Sequence, residues 1–261
     1  MTTTDPKHRW FHLTPDRFFL GLLAAGTAWA GDLPLEARIE SAMLGDHRSP
    51  ESQERNRYRH PLGTLTFLGL EDGMTVLEIW PGAGWYTEVL APVLRHNGQF
   101  IVAGWDTDVP DQPEYRYRLQ TGLLDKFAAH PDIYDQVAIV AYSPPASASL
   151  GEAESVDMVL TFRNTHGWVS GGIADSVFAE FARVLKPGGI LGVVQHRAAD
   201  DADPAKSAEM GYLPERTVID LAKTRIFAYV NIVDLGMLGD FEQNVRTMDP
   251  ELCAAAVLMY P

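Results

Sequence analysis

From Thr75 to Gln195 the chain alternates short apolar β-rich runs with stretches of helical periodicity, and this alternation leaves few folds open to it. The strand-like runs are Thr75–Ile79, Gln99–Ala103, Gln136–Ala141, Val156–Phe162 and Ile190–Gln195. Helical patterns cover Trp85–Leu94, Leu119–Ala129 and Ile173–Leu185 between them. Such an order predicts βαβ units, a mostly parallel sheet and right-handed crossovers. Upstream, Leu35–Leu44 has helical spacing, and Ser49-Pro50-Glu51-Ser52 offers a cap and a first-turn proline for a second helix. That helix should end near Tyr58, because Pro61 pushes His60 out of the helical region. Thr64–Leu70 reads as a further turn or two of helix. Downstream, Pro214–Lys223 predicts a helix, and Ile226–Leu235 and Ala254–Met259 predict two closing strands, expected as an antiparallel pair.

The 261 residues, 46% hydrophobic and 21% charged, suit one large α/β domain able to bury its own core. A formal charge of −14 opposes binding to nucleic acid or anionic lipid. The one dense basic stretch, Arg55 to His60, is too short for a nucleic-acid track. The single cysteine, Cys253, excludes an intrachain disulfide and a multi-thiolate zinc site. Lys7, Arg9 and Arg17, the apolar run Phe18–Thr27 and then Ala28-Trp29-Ala30 fit an export signal cleaved before Gly31. The run is too short for a stable span, so no membrane insertion is expected after cleavage, and the mature protein would be periplasmic. The division expected is a signal over 1–30, a helical segment over 31–60 and a Rossmann-like domain over 61–261.

Glu78-Ile79-Trp80-Pro81-Gly82-Ala83-Gly84 follows a buried-looking strand and opens a helix. Glycines there let the backbone approach a ligand and bend into a helix whose N–H groups face it. The acid at the strand end is placed to meet an amino group. A dinucleotide site wants three glycines, and Trp80 holds the place of the first. At the end of the second strand Asp106 can accept ribose hydroxyls, or it can cap a turn in an acidic loop. Leu185-Lys186-Pro187-Gly188-Gly189 is an efficient helix-to-strand turn.

Together these features resemble class I S-adenosylmethionine-dependent methyltransferases. A narrower resemblance rests on Tyr58-Arg59-His60-Pro61, Leu77 to Glu88, Thr161-Phe162-Arg163-Asn164-Thr165-His166 and Gln195-His196-Arg197-Ala198. These look like a family of predicted bacterial methyltransferases that often carry an export signal. The likeness covers roughly Arg55 to Leu213. It implies a three-layer sandwich around a seven-stranded sheet with the last strand antiparallel. It implies that Glu78, Gly82, Ala83 and Gly84 line the methionine part of S-adenosylmethionine, that Asp106 takes the ribose, and that Tyr142 and Ser143 hold the adenine. Arg163, Asn164 and His166 then fall where such enzymes place substrate or catalytic groups.

Methyl transfer asks mainly for positioning, with a base only where the acceptor must lose a proton. His166 and His196 both follow strand ends and are candidate bases, or structural histidines. Tyr58, Arg59 and His60 can fold over the cofactor, Tyr58 toward the chemistry and His60 toward substrate, or they can be a helix end anchored by Pro61. Arg163 suits an acidic substrate. Tyr142-Ser143-Pro144-Pro145 resembles poorly the loop of amino-group methyltransferases acting on nucleic acid, since Ala146 replaces the aromatic, and it reads better as a turn. No ligand spacing supports a metal at His166 and His196. Trp80, Trp85, Trp105 and Trp168 hint weakly at a planar or cationic ligand. The reading is methyl transfer to a small molecule. Two alternatives stay open: an exported enzyme with lyase or hydrolase chemistry, and a non-catalytic protein binding a nucleoside-like ligand.

Overall fold

The computed structural model describes residues 33–223, 229–234 and 254–260, the last two segments as strands. The expected export signal and Cys253 lie outside the described residues. Among the described residues four helices come first: α1 (Leu35–Met43), α2 (Pro50–Glu54), α3 (Asn56–Arg59) and α4 (Pro61–Phe67). The alternating body follows with β1 (Thr75–Ile79), α5 (Thr87–Leu94), β2 (Gln99–Gly104), α6 (Glu114–Ala129), α7 (Pro131–Tyr134), β3 (Ala138–Ala141), β4 (Val156–Phe162), α8 (Thr165–Ser170), α9 (Ala174–Val184) and β5 (Leu185–Arg197). Then come α10 (Pro204–Glu209), β6 (Tyr212–Leu213), α11 (Glu215–Lys223), β7 (Tyr229–Asp234) and β8 (Ala254–Tyr260).

The eight strands form one sheet in the order β3-β2-β1-β4-β5-β8-β7, with β6 paired to the end of β5. This is the expected Rossmann-like α/β fold. Val76, Leu77 and Ile79 on β1 and Val159 and Leu160 on β4 are fully buried, as strands covered on both faces must be. One face packs on α8, α9 and α11 through Trp168, Val177, Phe178, Phe181 and Val218. The other packs on α1, α4 and α5 through Ile39, Leu65, Leu68, Val89 and Leu90. Helix α9 shows the driving pattern: Ala174, Val177, Phe178, Phe181 and Val184 are its buried residues, at the spacing of one helical stripe.

The closing strands differ from expectation. Both β8 against β5 and β7 against β8 run parallel, not as an antiparallel pair. A tight turn would have fixed them antiparallel, but residues 235–253 separate them, a length that permits a crossover. The count also differs, because the short β6 adds a strand to the seven in line. The Lys-Pro-Gly-Gly stretch is not a free turn but part of β5: Leu185 pairs with Val156, and a register shift precedes the next pair, Ile190 with Met158. Lys186 holds that irregularity through Asp157, at 2.8 Å.

The N-terminal helices share the core of the sheet, with Ile39 and Ala42 in one cluster with Val76 and Val89. Arg48 fastens them. Its buried guanidinium donates to Glu88 on α5 at 3.2 Å, to the Met43 carbonyl at 2.7 Å and to Asn56 at 2.9 Å. Ser49 caps α2 from one residue before Pro50, as its sequence predicts. His60 takes a left-handed φ of 41° where α3 ends and α4 begins, so Pro61 does break the helix there.

Candidate functional site

The strand order reverses between β1 and β4, and the crevice beyond the carboxyl ends of strands at such a point is where open α/β sheets take ligands. A cavity of about 630 Å³ opens there. Glu78, Pro81, Gly82 and Ala83 line it from the β1 end, Phe162 and Arg163 from the β4 end, and Val194 and His196 from β5. Arg55, Tyr58 and Arg59, with Trp85 and Tyr86, complete the wall. A second cavity, of about 390 Å³, lies among α1, His47 and α7 and contains none of the predicted site residues.

The glycine turn is shaped for a close approach. Gly82 sits at φ +63° with nothing within 4 Å of where a Cβ would stand, so its cavity side is open. Gly84, at φ +81°, serves packing instead, since a Cβ there would come within 2.8 Å of Leu123. Lys126 reaches from α6 to clamp the turn, donating to the Ala83 carbonyl at 2.6 Å and to Glu88 at 2.5 Å. Beneath the turn lies Glu78, 1% exposed, with Thr87 donating to its Oε2 at 2.6 Å. Burial pushes the Glu78 carboxyl up to about 7, against the opposing pulls of the Thr87 hydroxyl and the Lys126 charge. Among the described residues it is the sole acid in the cavity wall.

The remaining predicted residues divide sharply. Arg163 and His196 reach the cavity from adjacent strand ends, and Tyr58 stands at its mouth, 60% exposed. Arg163 is held at φ +63°, with its N–H bonded to the Val194 carbonyl at 2.7 Å. Burial lowers the His196 pKa, and the nearby charges of Arg163, His166 and Arg59 lower it further. His166 does not line the cavity. Its Nδ1 lies 3.3 Å from Gln195 Oε1, and its pKa is lowered first by burial. Asn164, expected at the substrate, is turned inward: its amide donates to the Ile79 carbonyl at 2.9 Å and the Trp80 carbonyl at 3.3 Å. It ties the end of β4 to the end of β1. Asn164→Ala is expected to cost about 1–3 kcal/mol in urea unfolding, because two strand-end carbonyls lose a donor. His60, also expected at substrate, faces outward at the helix junction and is absent from the wall.

The positions expected for adenosine are separate from this cavity. Asp106 behaves as the acidic-loop cap: its Oδ1 accepts the Asp108 N–H at 3.0 Å, and its carbonyl takes Gln112 at 2.6 Å. Its side chain remains partly exposed. Ser143 is buried, and its hydroxyl links the Asp106 N–H and Gln112. Tyr142 is core, 1% exposed, so neither is presented as an open adenine contact. The cause is Trp80. With φ at +45°, a conformation more natural to glycine, it sends its indole toward β3, where Nε1 donates to the Tyr142 carbonyl at 2.8 Å. Trp105, Tyr142 and Trp168 surround the ring at 5.6–6.2 Å between centroids, and the Arg116 guanidinium sits 5.0 Å from its centre. The tryptophans are therefore split, with Trp85 alone in the cavity wall and the other three packed together.

Sequence reasoning missed Arg55 as a site residue. The signal was present in Arg55, Tyr58 and Arg59, whose spacing of three and four places all three on one side of a helical turn. Phe162 and Tyr86 were missed as well; their rings stack at 3.7 Å to make an apolar wall.

No family model matches the chain, and no curated protein matches it. Among solved structures, a SAM-dependent methyltransferase from Aquifex aeolicus is 18% identical over 73% of this chain and 87% of its own, with a TM-score of 0.48. A geranyl diphosphate methyltransferase in complex with SAM is 14% identical over 71% and 73%, with a TM-score of 0.46. The cyclase SpnF is 18% identical over 73% and 68%, also at 0.46. The reading of the site rests on its own residues.

Proposed function

We propose that this chain is an S-adenosylmethionine-dependent methyltransferase acting on a small molecule. The observation that carries the reading is one cavity holding an open left-handed glycine, Gly82, a buried carboxylate, Glu78, and the strand-end groups Arg163 and His196. These residues fit the amino-acid half of the cofactor: Gly82 leaves room where a side chain would stand, and Glu78 is the acid among the described residues of the wall that can accept from an ammonium group. For the ribose the fit rests on Asp106, whose carboxylate is still partly exposed. When bound, the cofactor supplies a methyl group already activated on a sulfonium.

The chain's own task is then to orient an acceptor and exclude water. Tyr86 and Phe162 give that acceptor a flat apolar wall. His196, its pKa lowered by burial and neighbouring positive charge, stays neutral near pH 7 and is able to take a proton from an acceptor hydroxyl or amine. His166, behind Gln195, acts on orientation at most. Tyr58 at the mouth covers the entrance rather than the chemistry.

Calorimetric titration of residues 31–261 with S-adenosylmethionine and S-adenosylhomocysteine tests the reading, beside Gly82→Asp. Micromolar binding lost in the variant is expected, since a carboxylate would fill the open side of the turn and repel Glu78. Binding of neither compound to the native chain would sink the proposal and leave a lyase, hydrolase or ligand-binding role for the same cavity.

A further inference from the structure

We propose that Glu88 is a positioning residue of the cofactor site, joining the glycine turn to the helices that carry one side of the cavity wall and acting on the turn through Lys126. Its catalytic meaning rests on the methyltransferase reading above. Glu88 stands on the first turn of α5, 4% exposed, just after the glycine turn. Its N–H donates to the Gly84 carbonyl at 2.9 Å. Its carboxylate is divided between two cations from different parts of the chain: Oε2 accepts from Arg48 at 3.2 Å and Oε1 from Lys126 at 2.5 Å. Each cation makes a second attachment. Lys126 donates at 2.6 Å to the carbonyl of Ala83, the residue between Gly82 and Gly84. Arg48 donates at 2.9 Å to Asn56, the first residue of α3.

Trp85 closes the same joint. Its Nε1 donates to the Ser52 carbonyl on α2 at 2.9 Å, and the Arg48 and Arg59 guanidiniums lie 4.9 and 4.6 Å from its ring centre. Arg55, Tyr58 and Arg59, the cavity residues on this side, are thus carried on a segment fastened to the carboxylate that also governs the turn. A scaffold role alone asks for less than this. Buried ion pairs kept only for stability are often replaceable by apolar side chains of similar volume. Here one arm of the triad ends on a backbone carbonyl of the cofactor turn. Lys126 also acts on Glu78 through its charge, which favours the carboxylate that a ligand ammonium needs. One side chain therefore bears on two parts of the site, the peptide beside Gly82 and the ionisation of Glu78.

Hydrogen exchange of the full chain, read by mass spectrometry, tests this beside calorimetry with S-adenosylhomocysteine across pH 6 to 8.5. In Lys126→Met, exchange over residues 81–88 is expected to rise about tenfold while β4 stays unchanged, and affinity for the ligand to fall about tenfold. The pH at which binding strengthens should move upward, because Glu78 loses a nearby positive charge. Arg55, Arg59, Arg163 and His196, with Tyr58 and Tyr86, share the cavity with Glu78 and are the same in both proteins, so the displacement reports Lys126. Lys126→Arg is expected to restore all three readings. Glu88→Gln should reproduce the faster exchange. Should it fail to fold, with the Arg48 side chain fully buried, Lys126→Met still decides, since the Lys126 side chain is 23% exposed. Unchanged exchange over 81–88, or a rise spread evenly over the sheet, overturns the proposal. If the native chain binds no S-adenosylhomocysteine, the methyltransferase reading fails and the exchange comparison alone judges Glu88 and Lys126. Binding with unchanged exchange and an unmoved pH dependence rejects their positioning role and leaves that reading standing.

Discussion

Glu78→Gln is expected to stabilise the folded chain at pH 8 by on the order of 3 kcal/mol and to change it little at pH 4. The carboxyl is 1% exposed, and its pKa is raised by burial from 4.5 to about 7. The sign follows from proton counting. Between those two values the unfolded chain has lost the proton that the native chain still holds. Native stability from this group therefore falls as pH rises from about 4.5 to about 7 and stays low above that. Glutamine keeps the shape and an oxygen for the Thr87 hydroxyl, now 2.6 Å from Glu78, but it carries no ionisation to penalise. Urea midpoints of both proteins at pH 4, 6 and 8 give the difference directly, and other titrating groups cancel in it. A difference that is constant with pH would mean Glu78 ionises normally. The same substitution should weaken binding of S-adenosylhomocysteine about tenfold, if the carboxylate receives the ligand ammonium. A buried acid whose ionisation costs the fold stability is more easily explained by a role at a site than by a role in the scaffold.

The sheet was legible because its rule is local. The expected strands from Thr75 to Phe162 are apolar runs of strand length between turn residues, and β1 and β4 match the expected bounds residue for residue, whereas β5 starts five residues early, through the Lys-Pro-Gly-Gly stretch. The parallel closing strands were not legible, because strand direction depends on the path of residues 235–253 and not on the strands themselves. Helices α7, α8 and α10 were missed because four to six residues carry too little periodicity to announce themselves. In the site, Gly82, Glu78, Arg163 and His196 were readable as strand-end residues. Asn164 misled because a polar residue at a strand end is as apt to satisfy backbone carbonyls as to face a ligand. Tyr142 and Ser143 misled for a different reason. The indole of Trp80, two strands away across the sheet at the end of β1, decides whether that position is open, and no periodicity reports where a side chain lies across a sheet.

Trp80→Gly is therefore expected to act on stability and on binding in opposite directions. The indole is 6% exposed and packed against three aromatic residues, so its loss should cost about 3–5 kcal/mol by the usual scale of aromatic truncation in a core. Glycine returns part of this, about 1 kcal/mol, because φ of +45° suits it and strains tryptophan. Trp80→Phe separates the contributions: most of the packing remains, the Tyr142 carbonyl loses its donor at 2.8 Å, and about 1–2 kcal/mol should go. For the ligand the glycine variant uncovers that carbonyl and empties a space the size of a bicyclic ring. An adenine amino group is a donor of the kind the carbonyl has lost, and dry cavities opened in cores do accept ring ligands of matching size. Binding of S-adenosylhomocysteine to Trp80→Gly is expected to tighten at least tenfold over the native chain, read by calorimetry at a temperature where both are folded. Unchanged affinity would place the adenosine away from the Tyr142 carbonyl, along the Asp106 side of the loop, and would make Trp80 a packing residue only.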